Sequence, residues 1–388
     1  MAERGEHKVL MATGEIDVAS VRHLYVHLPF CANRCGYCDF VTLVGARDRH
    51  ASYVDALLAE LELERELLAA KLETVFLGGG TPTFMEPRAL AHLLGALPDA
   101  AEVTIEANPE TITPELAALL REHGVNRVSL GAQSFRSRLL AVLERRAAPD
   151  TVRRAFASLR GAGFDNISLD LIYGIPGQTQ EDLEADIADA LALGAEHLSW
   201  YELEAKAGTR FTHSHGEELA RQADAMETYF ERVVAALTHA GYRWYETANF
   251  CRTPADAGGR DLRARHNLAY WRGRDYLGLG IGAVSTVDGR RWRNAPRLRA
   301  YVDALADGRR PPRELEPLSR DVRLRELVML GLRLDEPLPL AGIADALDLP
   351  TLARLEGLGL AHVTGREELS LTARGRMLGG GVTAAMLA

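Results

Sequence analysis

Read as hydrophobic and polar positions, the first half of the chain alternates short apolar runs with longer periodic ones. The runs at 24–28, 74–77, 103–105, 127–130, 166–172 and 197–203 are rich in β-branched and aromatic residues and bounded by turn formers, which predicts strands. Between them, 53–68, 114–123, 151–162 and 181–193 repeat apolar residues at helical spacing. Repeated strand-then-helix order gives a parallel sheet covered by helices, and six consecutive units predict an α/β fold, a partial (β/α)6 barrel. The strands beginning at Asn166 and His197 are almost continuously apolar, as parallel strands buried on both faces must be. Polar residues near the C-terminal ends of such strands therefore carry meaning: Cys31, Gly78, Glu106, Gln133 and Asp170 fall on one expected rim.

Beyond this alternation, 217–240 predicts one long helix, 242–247 a further strand, and 252–265 an exposed loop rich in Gly and Arg. Pro311, Pro312 and Pro317 sit among charges and predict a linker. The expected organisation is an N-terminal segment 1–22, a barrel with its C-terminal extension 23–306, a linker 307–318, and a small winged-helix-like domain 319–388 with a hairpin turn at Gly365. That last domain is mixed in charge and has no basic stripe, so packing or docking is expected of it rather than DNA binding.

Composition narrows the functional classes. With 388 residues, 47% hydrophobic and 26% charged, the chain has the make-up of a globular protein with room for one large and one small domain. A formal net charge of -9 argues against a nucleic-acid partner, whose affinity rests on clustered Lys and Arg. Residues 1–20 interleave Glu3, Arg4, Glu6, His7 and Lys8 with single apolar residues, unlike a signal peptide. No stretch reaches the roughly 18 uncharged apolar residues of a membrane span. A cytoplasmic location is expected. Three of the four cysteines lie within 31–38, a placement that suits metal ligation rather than a disulfide framework.

The central motif is Cys31-Ala-Asn-Arg-Cys35-Gly-Tyr-Cys38-Asp-Phe40. Thiolates favour soft metals, and three of them can hold three irons of a cubane while the fourth stays open to another ligand. The competing reading is zinc or plain packing, but structural zinc normally closes with four protein ligands and no second Cys or Cys/His pair lies nearby in sequence. Cys251 is remote and reads as a small buried residue.

This Cys-x3-Cys-x2-Cys spacing followed by an aromatic resembles the signature of the radical S-adenosylmethionine (SAM) superfamily. The likeness implies a 4Fe-4S cluster on Cys31, Cys35 and Cys38, with SAM chelating the open iron and yielding a 5'-deoxyadenosyl radical on reduction. Residues 25–301 resemble the coproporphyrinogen III dehydrogenase group, most closely its HemW branch of heme chaperones, through Tyr25-Val-His-Leu-Pro-Phe-Cys31, Gly78-Gly-Gly-Thr-Pro-Thr83, Glu106-Ala-Asn-Pro109, Gly131-Ala-Gln-Ser-Phe135 and Asp170-Leu-Ile-Tyr-Gly-Ile-Pro-Gly177. By this similarity Tyr25, Gly79, Gly80, Thr81, Glu106, Gln133, Arg145 and Asp170 would contact SAM. Carboxylates suit ribose hydroxyls and the methionine amine, and Arg145 suits the carboxylate.

His266-Asn-Leu-Ala-Tyr270-Trp271 resembles the His-Asn-x-x-Tyr-Trp element associated with heme in that branch, which implies an axial imidazole from His266 beside Tyr270 and Trp271. The competing reading is a loop hydrogen bond for His266, with the two aromatics packing. Ala147 and Val284 depart from the family pattern, each standing where a histidine is common. The dehydrogenase proper has a further cysteine where this chain has Phe40, and a longer N-terminal extension. The resemblance thus implies a chaperone with heme or porphyrin as cargo, a recipient hemoprotein and an electron donor. An oxygen-independent coproporphyrinogen III oxidase and a related radical SAM methyltransferase are the alternatives.

Overall fold

A computed structural model describes residues 21–204, 210–365 and 367–388. Most of the expected N-terminal segment 1–22 lies outside these residues.

The main sheet contains β1 (His23–Leu28), β2 (Leu72–Gly79), β3 (Ala100–Ala107), β4 (Arg127–Gln133), β5 (Ile167–Tyr173), β6 (His197–Glu202), β7 (Tyr242–Trp244), β8 (Asn249–Arg252) and β9 (Leu277–Leu279), in the spatial order β9-β1-β2-β3-β4-β5-β6-β8-β7. β9 through β6 run parallel, whereas at the far edge β8 is antiparallel to both β6 and β7. The covering helices are α1 (His50–Glu64), α2 (Pro87–Ala96), α3 (Pro114–Glu122), α4 (Pro149–Gly161) and α5 (Gln180–Leu193). Sequence chemistry sets their ends. Thr113 accepts the Leu116 N–H ahead of Pro114, and Thr179 forms a reciprocal capping box with Asp182. Leu24, Val26, Leu77, Ile105, Val128, Leu130, Leu169 and Leu198 join one large core between sheet and helices.

The expectation of one helix over 217–240 is corrected. The chain forms α6 (Arg210–Gln222) and α7 (Met226–His239), with a tight turn Ala223–Ala225 between them. The stretch 307–318 is also more ordered than a linker. After α8 (Arg265–Trp271) come β10 (Val284–Val287), β11 (Arg290–Asn294) and α9 (Leu298–Ala306), and Arg313–Pro317 then pairs antiparallel with β11 as β12. The cause is electrostatic: Arg313 pairs with the buried Glu60 and Glu64 of α1, and Glu60 also accepts from the Tyr301 hydroxyl at 2.6 Å and the Gly280 N–H at 2.8 Å.

A second core, including Val328, Leu332, Leu352, Leu355, Leu369 and Met386, gathers α10 (Arg320–Gly331), α11 (Leu349–Gly357), a hairpin of Ala361–Thr364 with Glu368–Leu371, and the terminal helices Ala373–Met377 and Gly379–Met386. Helices ahead of a small antiparallel sheet match the winged-helix-like expectation. No helix among the described residues is long and apolar enough to cross a membrane.

Candidate functional site

The cysteine loop hangs from the end of β1. Phe30–Cys31 pairs in parallel with Leu43–Val44, and the Leu43 and Gly45 N–H groups donate to Pro29 and Cys31 carbonyls at 2.7 and 2.9 Å, so both ends of the loop are clamped. His27 adds a third tie through Nε2 to the Val41 carbonyl at 2.9 Å. Inside the loop the Cys38 N–H donates to the Cys35 carbonyl at 3.2 Å and Arg34 to the Cys38 carbonyl at 3.2 Å. Cys31 is buried and the other two are half-buried. Burial pushes the Cys31 and Cys38 thiols up.

The donor set fits the implied cluster. Among the described residues no three His, Cys, Asp or Glu side chains converge as ligands of one metal ion. A cubane asks something different, one thiolate for each of three irons. Gly80 leaves the room: a Cβ there would lie 2.9 Å from the Cys31 sulfur and 2.6 Å from the Pro29 carbonyl. Two polar groups already face the sulfurs, Thr81 Oγ1 at 3.6 Å from Cys31 and Arg145 Nη1 at 3.7 Å from Cys35. Arg145 is held in turn by Asn108 Oδ1 at 2.7 Å and the Gly131 carbonyl at 3.0 Å, and Asn108 donates to Thr81 at 3.0 Å. Asn108 belongs to the Glu106–Pro109 block, which was its sequence signal.

Around this loop opens a cavity of about 1030 Å³. Of the eight residues expected to contact SAM, Gly79, Gly80, Thr81, Glu106, Gln133, Arg145 and Asp170 line it; Tyr25 does not. The Tyr25 hydroxyl is engaged by His27 Nδ1 at 3.0 Å and its ring stacks on Phe76, which does reach the wall. Glu106 accepts the Gly79 N–H at 3.0 Å. Burial pushes its carboxyl up to about 7, with the nearby Asp170 adding to the rise and the Gly79 N–H opposing it. Asp170 accepts from Ser129 Oγ at 2.8 Å and Ser168 Oγ at 3.0 Å, which fixes its orientation. Gln133 sits at a positive φ of 64° where the β4–β5 register shifts, and that bulge aims its side chain across Gly131.

The trio His266, Tyr270 and Trp271 is divided. His266 is buried against the sheet, stacked on Phe76, with Nδ1 bonded to Thr74 Oγ1 at 2.7 Å and Nε2 to the Tyr270 hydroxyl at 2.9 Å. Burial pushes its imidazole down to about 3. Both ring nitrogens are committed inside the protein, so an axial bond would require breaking one of these contacts. Trp271 does line the cavity, its indole N–H without a partner and Arg333 stacked 4.9 Å from its ring. Cys251 is buried in a separate cluster with Tyr245, Leu262 and Leu268.

The cavity extends well past the cysteines. Arg127, Ser129, Gly131 and Gln133 on one face of β4 all line it, so it runs about 20 Å along that strand at the usual rise per residue. Its far wall carries Glu246 and Asn249 of the β7–β8 hairpin and Met329, Leu332 and Arg376 of the C-terminal domain. None of these five was expected. Arg127-Val-Ser129-Leu-Gly131 alternates polar and apolar, a signal that one face of the strand looks into a polar interior.

Comparison with known proteins agrees with this architecture. Residues 25–190 match the Radical SAM superfamily and 318–378 the HemN C-terminal domain. The chain is 39% identical over 377 residues to the heme chaperone HemW of Mycobacterium tuberculosis, covering 94% of each. It is 34% identical over 389 residues to HemW of Bacillus subtilis, covering 95% of this chain and 99% of that one. The solved structure of the Escherichia coli coproporphyrinogen III oxidase HemN, a radical SAM enzyme, superposes with a TM-score of 0.75 at 25% identity, covering 95% of this chain and 90% of that chain.

Proposed function

The chain belongs to the HemW family within the radical SAM superfamily, and from that premise we propose that it is a heme chaperone, binding heme and passing it to a recipient hemoprotein. The observation that carries the reading is the single cavity shared by the cysteine loop, the SAM rim and Trp271, with a volume of about 1030 Å³ that leaves room for a large planar cargo beside SAM. In this reading Cys31, Cys35 and Cys38 hold the 4Fe-4S cluster. Bound together, cluster and SAM supply one-electron chemistry at the rim. Glu106, Gln133, Arg145 and Asp170 bind and orient SAM, and Trp271 offers an aromatic face to the porphyrin. His266 is held by Thr74 and Tyr270 and stacked on Phe76, which lines the cavity, and becomes an axial ligand only if it leaves these partners. Phe40, 60% exposed at the edge of the loop, takes the place of the extra cysteine of the oxidase group and argues against porphyrin oxidation.

The test is anaerobic reconstitution followed by parallel assays. Wild type is expected to hold about four irons per chain, to bind heme with a distinct Soret band and to leave coproporphyrinogen unconsumed. Changing Cys31, Cys35 or Cys38 to Ala should abolish the cluster, whereas Cys251→Ala should not. Conversion of coproporphyrinogen with SAM turnover, or failure to bind heme, would sink the chaperone reading in favour of an enzyme of the HemN kind.

A further inference from the structure

Below the SAM rim, at the foot of β4, the cavity meets a buried cation with nothing to balance it. Arg127 is 2% exposed and lines the cavity, and its Nε has no partner. Among the described residues it forms no ion pair or hydrogen bond through its side chain. Beside it on β3, Thr104 is its register partner, and the Thr104 hydroxyl is likewise buried and unpartnered. An unpaired guanidinium in a protein interior is costly, and native structures rarely keep one without an anion or ordered water.

The neighbours do not supply that anion: Glu246, which lines the same cavity with an unpartnered Oε1, makes no ion pair or hydrogen bond with Arg127. Glu102 is committed to the Arg265 and His266 backbone N–H groups at 3.0 and 3.2 Å. Asp170 is held by Ser129 and Ser168. The nearby Tyr245 hydroxyl meets His197 Nε2 at 2.8 Å and also accepts the Ala264 N–H, while His197 Nδ1 is bonded to Ser168. What remains open to Arg127 is the cavity itself.

We propose that Arg127 is the anchor of a carboxylate-binding subsite in the barrel interior and that it receives a propionate of the tetrapyrrole cargo. This rests on the heme-chaperone reading. One guanidinium fork matches a planar carboxylate, whereas a phosphate would call for more donors. The chamber continuous with it is walled by Phe76, Tyr201 and Trp271, surfaces suited to a flat apolar ring.

The experiment compares heme with heme dimethyl ester, whose propionates are uncharged, by Soret titration of the reconstituted full chain. Wild type should bind the ester about tenfold to a hundredfold more weakly, the span expected for one charge-assisted hydrogen-bonded pair. Arg127→Gln should bind heme about as weakly as the ester and lose the discrimination, while Arg127→Lys should recover part of it. Iron content and SAM affinity should be unchanged in Arg127→Gln. Equal affinity of wild type for heme and ester overturns the subsite and leaves the chaperone reading standing. So does an Arg127→Gln protein that still discriminates, or one whose defect is in SAM binding instead. A wild type that binds neither porphyrin defeats both ideas. Should Arg127→Gln fail to fold, Arg127→Lys carries the test: discrimination equal to wild type in that variant overturns the subsite.

Discussion

At the scale of the residue, the cavity is unusual for the polar groups it leaves incomplete. Glu246 is 1% exposed, its Oε1 has no partner, and burial pushes its carboxyl up to about 7 despite hydrogen bonds from Asn249 and backbone groups that favour the charged form. The folded state therefore keeps this proton in a range where the unfolded chain, with an ordinary glutamate near 4.5, has already released it. Stability from this group is full below about pH 4.5 and is lost as pH rises through about 7. Glu246→Gln removes the effect. The variant should match wild type at pH 4 and be more stable by about 1–3 kcal/mol at pH 8, measured by urea unfolding of the ligand-free protein. Parallel curves at both pH values would mean that Glu246 finds a partner in solution. Glu106 obeys the same sign, but there a cationic ligand competes for the charge. SAM affinity should rise as pH passes upward through about 7 in wild type and stay flat in Glu106→Gln, as read by equilibrium dialysis.

At the scale of the element, the strand ends and the loops that leave them were legible because their chemistry is local. Cys31, Cys35 and Cys38 share one loop, and the glycines after β2 announce a close backbone approach that the structure bears out at Gly80. Gly80→Ala should reduce iron per chain to well below half of wild type, because its Cβ would press on both the Pro29 carbonyl and the Cys31 sulfur. A full complement of iron in that variant would mean the loop can move aside at little cost. The break between α6 and α7 was not legible, since Ala223-Asp-Ala225 has neither Gly nor Pro and reads as helix; α7 packs on α5 and β7, contacts that only the fold supplies. Nor was the place of His266. Its residue type suggested a ligand, but its partners Thr74 and Phe76 lie almost two hundred residues away and only the fold brings them together. Arg127 and Glu246 escaped notice for a related reason: whether a polar strand residue faces water or an inner chamber depends on how distant strands align.

At the scale of the molecule, the C-terminal domain completes the cavity rather than standing apart from it. Arg376 lies 3.7 Å over the Trp244 ring and donates to its carbonyl at 3.0 Å. Asp335 receives Arg243 in a two-pronged pair at 2.7 and 2.9 Å, and Glu336 receives Arg263 and Arg272. These carboxylates tie the domain to the β7–β8 hairpin and to α8, the elements that bear Glu246 and Trp271. Since the pairs keep partial contact with solvent, each contributes only about 1 kcal/mol. Their joint loss in Asp335→Asn/Glu336→Gln should lower stability by about 2 kcal/mol and let the domain lift more often from the barrel. The rim formed by β2 to β5, where the proposed function seats SAM, is not touched by these bonds, so SAM affinity should hold. Heme, which in the proposed function uses the Trp271 side, should bind severalfold more weakly and dissociate faster by stopped-flow transfer to apomyoglobin. If the double variant loses stability yet releases heme at the wild-type rate, the cargo does not need the wall that the C-terminal domain provides. An equal loss of SAM affinity would instead place the domain's influence on the barrel as a whole.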